Sequence, residues 1–147
     1  MDDVLGQAGD LKGKVVVSCS LPMHDDDTGL VVANTSSGAE VLAKRLRASP
    51  FVAAFGTIPS EVLFDVFEAR RRKKTRPTLL YCGDDRRAKT VAARLIHDVG
   101  FDPLDAGPLR IARYMEPFTL LVAQLAYERD RGPEMAYRFE WYGKASG

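Results

Sequence analysis

Four short runs rich in β-branched and apolar residues, KVVVSCS (14–20), FVAAFGT (51–57), TLLYCG (78–83) and FDPLD (101–105), are each followed by a stretch with helical periodicity. Few architectures accept that alternation. Strands joined through helices form a parallel sheet with helices on its faces, and a continuous apolar run such as the first reads as a strand buried on both sides. The expected fold class is α/β: a partial Rossmann-type, mostly parallel sheet flanked by helices, with a long C-terminal helix.

Local signals place the helices. Ser37-Gly38-Ala39-Glu40 has capping-box spacing, so a helix runs from there to about residue 48 with Val41, Leu42 and Leu46 inward. Pro59 suits the first position of a second helix that runs to about Arg70. Asp84-Asp85 caps a third over 86–99, with Ala88, Val91, Ala92, Leu95 and Val99 inward and Gly100 as its stop. The turn Ala106-Gly107-Pro108 opens the longest helix, in which Leu109, Ile111, Met115, Phe118, Val122 and Leu125 recur at helical spacing and Pro117 predicts a kink or a second start. The alternating MAYRFEWYG (135–143) reads as a terminal strand, at an edge or in a partner's sheet.

A chain of 147 residues, 46% hydrophobic and 28% charged, makes one ordinary domain, here with a flexible lead-in at 1–13 and the folded part at 14–147. Lys plus Arg number 21 against 20 Asp plus Glu, which gives no reason to expect nucleic acid or a membrane surface as partner. Cys19 and Cys82 lack the paired spacing of a zinc or redox site, fit a reducing cytoplasm, and are expected to be buried. No apolar run approaches the roughly 20 residues of a membrane span. Other candidates weigh less. GDLKGKV (9–15) has the wrong glycine spacing for a phosphate loop, and Val15 stands where Ser or Thr would hold magnesium. His24-Asp25-Asp26-Asp27 reads as a solvated loop rather than a metal site, because adjacent loop residues seldom converge on one ion. The basic run RRRKKTR (70–76) reads as a solvated loop ahead of a phosphate site, and His97 as a surface residue.

The pieces KVVVSCSLP, SSGAEVLAKRL, AAFGTIPSEVL, LLYCGDD, AKTVAARLI and FDPLDAGPLRIARYMEPFTLL, in this order, resemble the C-terminal two-thirds of the NADPH-dependent reductases of the deazaflavin coenzyme factor 420. They are also similar to related NADP oxidoreductases, over residues 14–139. The family's G-x-G-x-x-G pyrophosphate loop occurs nowhere in this chain, so the resemblance implies a first βαβ unit N-terminal to it.

The function it implies is the substrate-side part of an NADP(H)-dependent oxidoreductase that moves a hydride between NADPH and a deazaflavin or similar acceptor. The alternative is a non-catalytic homologue serving as a binding or oligomerisation module. Cofactors carry the reactive carbons in hydride chemistry, so no catalytic residue and no metal ligand is assigned. By the resemblance, the ring lies against the loop after the first strand, giving Ser18 and Pro22, and against the turn Thr57, Ile58 and Pro59. The turn with Asp105, Gly107 and Pro108 braces that region, and Gln124 on the long helix faces it. Where the family tends to carry His or Asn before that Thr-Ile-Pro turn, this chain has Gly56. A sheet lacking its first strands exposes an edge, so a homodimer through the long helix, or a partner chain completing the sheet, is expected.

Overall fold

Four strands form one sheet in chain order, β1 (Val16–Ser18), β2 (Phe51–Ala54), β3 (Thr78–Cys82) and β4 (Asp102–Asp105), in a computed structural model that describes residues 2–26 and 28–143. The β1–β2 and β3–β4 pairs are parallel, with Val16 opposite Phe51 and Thr78 opposite Asp102. The middle pair is antiparallel, Ala53 lying opposite Cys82. The mostly parallel sheet is thus two parallel pairs set head to tail. Between parallel neighbours, α2 (Gly38–Arg45) and α4 (Arg86–Val99) carry the chain back along the sheet, whereas α3 (Glu61–Ala69) and the loop after it return it to the end it left. Gly100, just ahead of β4, marks that return: a Cβ there would stand 2.8 Å from Arg70 Cβ and 2.9 Å from Val66 O, and its φ of 116° favours glycine.

Alternation along β2 divides the core into two layers. Val52 and Ala54 join Leu79, Tyr81, Ala88, Ala92, Ile96 and Phe101 on the face under α3 and α4. Phe51 and Ala53 join Ala39, Leu42, Cys82, Leu109, Ala112 and Met115 on the face under α2 and α5 (Ala112–Tyr127). Leu79, Ile96 and Phe101 are fully buried, each contributing roughly 2 kcal/mol of apolar transfer.

The caps of α4 are as expected: Ala88 N donates to Asp85 Oδ1 at 2.8 Å, and Gly100 ends the helix in the left-handed region. Its inward stripe differs. Ala88, Ala92 and Ile96 are buried while Val91 and Leu95 are exposed, because small residues four apart bring the helix close to the sheet and turn the larger neighbours outward. In the same way α2 buries Ala39 and Leu42 and leaves Val41 exposed, and it ends at Arg45. Ser37 Oγ accepts from Glu40 N at 3.1 Å, but the Glu40 carboxylate, rather than reaching back to the Ser37 amide, accepts from the Ser37 hydroxyl and from Arg113 at 2.8 Å. Pro59 stands ahead of α3, whose N-cap is Ser60.

Three further expectations are corrected. β1 is half-buried rather than buried on both faces, since it lies at the edge of the sheet. Cys82 is buried but Cys19, in the loop beyond β1, is exposed. Residues 135–143 are not a strand: Thr78 N donates to Tyr137 O at 2.8 Å and Phe139 N to Thr78 Oγ1 at 3.0 Å, and rings rather than a ladder hold the segment, with Phe118 5.1 Å from Tyr137. A 3-10 turn (Leu109–Ile111) leads into α5, which continues through Pro117 as one helix. In the lead-in, α1 (Asp2–Gln7) is helical, and Ser49 Oγ donates to Leu11 O at 2.6 Å. No helix among the described residues is long and apolar enough to cross a membrane.

Candidate functional site

The antiparallel middle pair decides which loops can meet. β2 and β3 overlap only at their carboxyl-terminal residues, Ala53 opposite Cys82 and Ala54 opposite Tyr81, so β1 and β2 run toward one end of the sheet and β3 and β4 toward the other. In open α/β sheets ligands bind outside the carboxyl ends of strands.

At the first end a narrow cleft is lined by Ser18, Cys19, Ser20 and Leu21 beyond β1, by Ala53, Ala54, Gly56 and Thr57 of β2 and its turn, by Ala39, and by Ala112, Met115, Glu116 and Thr119 of α5. It encloses about 20 Å³, room for about one water. Phe55, between the lining residues Ala54 and Gly56, packs its side chain on the core under α3 and α4 and has φ 65°, a left-handed conformation that costs a bulky residue roughly 1–3 kcal/mol and that clusters at functional sites. Gly56 is fitted closely: a Cβ there would lie 3.2 Å from the Cys19 carbonyl oxygen, so a side chain would push apart the strand ends that form the cleft. Thr57, 2% exposed, accepts a hydrogen bond of 2.7 Å from the Tyr137 hydroxyl. Burial pushes the Tyr137 phenol up from its ordinary pKa.

Glu116 closes the cleft from α5. Its carboxylate is 5% exposed and accepts from Gly38 N and Ala39 N, both at 2.9 Å, so it supplies the negative charge that the N-terminus of α2 favours. Burial pushes its pKa up, and the two amide bonds oppose that shift. Neither Glu116 nor Tyr137 was singled out by sequence. Glu116 left a signal, a charged residue in helical phase with Ala112, Thr119 and Ala126. Tyr137 left none, because its partner is 80 residues away.

Of the residues that the resemblance nominates, the structure brings Ser18 and Thr57 into the cleft. Pro22 lies beneath α2, where a Cβ on Gly38 would meet its ring at 2.8 Å. Ile58 and Pro59 are buried behind the turn, Ile58 in the core under α3 and α4. Gln124 is exposed on α5. Asp105, Gly107 and Pro108 do not line the cleft: Tyr81 pairs with both Ala54 and Asp105, which sets them two strands across from it, where Lys89 Nζ pairs with Asp105 Oδ2 at 2.7 Å and Gly107 N donates to Asp105 Oδ1 at 2.8 Å. There Leu109 N donates to Asp84 Oδ1 at 2.9 Å, and Gly107 has φ 115°. Among the described residues no group of three or more His, Cys, Asp or Glu could hold a metal ion. Asp26 accepts from the Thr28 hydroxyl at 2.7 Å, and Asp27 lies outside the described residues.

The fold and the cleft define a Rossmann-type α/β protein with a candidate site where its first two strands end. Sequence comparison agrees with the motifs: the chain is 32% identical over 121 residues to the F420-dependent NADP reductase of Methanocaldococcus jannaschii, covering 79% of this chain and 52% of that protein. It is 34% identical over 113 residues to metalloreductase STEAP3 of Rattus norvegicus, covering 77% of this chain and 21% of that one. Among solved structures, a protein of Arthrobacter sp. FB24 inferred to be an F420-dependent NADP reductase superposes with a TM-score of 0.81 at 20% identity, over 95% of this chain and 64% of that chain, which shows the shared fold. No family model matches. The resemblance to NADPH-dependent reductases of factor 420 therefore holds at the level of sequence and fold, and the similarity is to NADP-dependent oxidoreductases. The chain spans about half the length of the first of these relatives.

Proposed function

We propose that this chain supplies the acceptor-side wall of an NADP(H)-dependent oxidoreductase that passes a hydride between NADPH and a deazaflavin, factor 420, or a similar planar acceptor. The observation that carries the reading is the cleft beyond β1 and β2, lined by Ala53, Ala54 and Gly56 together with Ser18 and Thr57, with the strained Phe55 backbone in its turn. Small residues and neutral hydroxyls suit the face of an aromatic ring better than a phosphate. The enclosed space of about 20 Å³ does not fit a tricyclic ring, so the chain by itself forms a wall and not a pocket, and ring and dinucleotide must be completed by polypeptide outside this sequence or by a partner chain. β1, with a neighbour on one side only among the described strands, is the edge at which such a segment would join.

The same small volume favours the second reading, a non-catalytic binding or oligomerisation module. Fluorescence titration of factor 420 against the chain separates the two. The oxidoreductase reading expects saturable binding that weakens in Gly56→Val, whose side chain would force Cys19 away. Absence of binding, alone and with a chain carrying the dinucleotide-binding unit, leaves the module reading standing.

A further inference from the structure

The basic run at 70–76 is not absorbed by the cleft. Together with α3 and residues 134–138 it forms a separate groove of about 450 Å³, lined by Arg70, Lys73, Arg76 and Arg138 against Asp65 and Glu134. Cations outnumber carboxylates there, even with Arg138 answered by Glu140. Neither carboxylate pairs with these cations among the described residues, and Arg138 instead pairs outward with Glu140 at 2.8 Å. Two of the guanidiniums are already positioned: Arg70 lies over the Phe67 ring, 3.4 Å from its centroid, and Arg76 donates to His97 O at 3.0 Å. Both are half-buried. A guanidinium that is held in place loses less freedom when it takes an anion, and its planar fork matches phosphate oxygens two at a time.

We propose that this groove binds a small phosphate-bearing ligand carrying two or more negative charges. Arg70, Lys73 and Arg76 form no ion pair among the described residues, so three cations can share one ligand of two or more negative charges, and a groove of this size holds more than a single phosphate. Pro77, Gly100 and Tyr137 also line it. Tyr137 is also the wall between groove and cleft, since its hydroxyl reaches Thr57. The groove is nonetheless independent of the acceptor reading, because none of its cations lines the cleft.

Calorimetric titration of the whole chain with pyrophosphate at low salt, and separately with succinate as a carboxylate dianion, tests the assignment. Saturation at one pyrophosphate per chain is expected, weakening steeply as salt screens the charges. Lys73→Glu should weaken binding by about tenfold or more, and Glu134→Gln, which removes a repelling charge, should tighten it. Lack of saturation, binding indifferent to Lys73→Glu, or succinate bound as tightly as pyrophosphate would overturn the proposal. Should the Lys73 variant fail to fold, Glu134→Gln decides alone, and binding that does not tighten sinks it.

Discussion

At the end of the sheet where β1 and β2 finish, polar side chains are buried and bonded to distant parts of the chain; where β3 and β4 finish, they are more exposed and bonded close by. Glu116 reaches Gly38 and Ala39 across 78 and 77 residues, and Tyr137 reaches Thr57 across 80. Asp105 reaches Gly107 across two, and Lys89 reaches the Gly107 carbonyl across 18. A buried donor or acceptor that loses its partner meets no water, whereas an exposed one does. The two ends should therefore differ in what a single substitution costs.

The sharpest way to break the comparison is Glu116→Ala. It strands two backbone amides at the start of α2 and should lower stability by about 2–3 kcal/mol in urea unfolding. A loss below about 0.5 kcal/mol would mean that water takes over both amides and that the cleft end is not the more tightly specified one. The pH profile sharpens the same point. Because burial raises the Glu116 pKa in the folded state, its contribution is fully present below the ordinary carboxylate value and is lost as pH rises through the raised one. The stability of the natural chain relative to Glu116→Gln should thus decline from about pH 4 toward neutrality. Glu40 acts in the opposite sense: the Arg113 guanidinium holds its pKa down, so its contribution is lost as pH falls through that lowered value.

Tyr137→Phe comes next, leaving the buried Thr57 hydroxyl without its donor at a cost of about 1 kcal/mol by thermal unfolding. A near-zero change would show that ring packing on Phe118 and the two hydrogen bonds with Thr78 hold residues 135–143 without the Tyr137 hydroxyl. The smallest effect is expected at the other end. The Lys89–Asp105 pair involves an Asp105 side chain that is 44% exposed, so Lys89→Ala should cost less than about 1 kcal/mol and the cost should fade with added salt.

Much of the fold was legible in the residues. Each apolar run contains its strand, and the Asp85 cap and Gly100 stop bound α4 as expected, because caps and left-handed stops depend on neighbours within four residues. Inward faces were read less well. Val91, Leu95 and Val41 fit a helical stripe as well as the residues that are buried, and hydrophobicity alone does not show that alanines would set the helix-to-sheet distance. For the site, the motifs located Ser18 and Thr57, which share the cleft, but they grouped these with Asp105, Gly107 and Pro108, which lie two strands across and do not line it.

The sequence by itself determined the strand–helix alternation, the caps and turns, and a kinship with NADP-dependent oxidoreductases, all of which rest on local spacing or on ordered motifs. Only the tertiary structure decided that β2 and β3 run antiparallel, that Glu116 and Tyr137 converge on the cleft, and that the basic run faces a groove. Strand direction depends on whether a connection crosses the sheet or returns to the end it left, and buried polar pairs join residues 77 to 80 positions apart. Neither property is written in any short stretch of the chain.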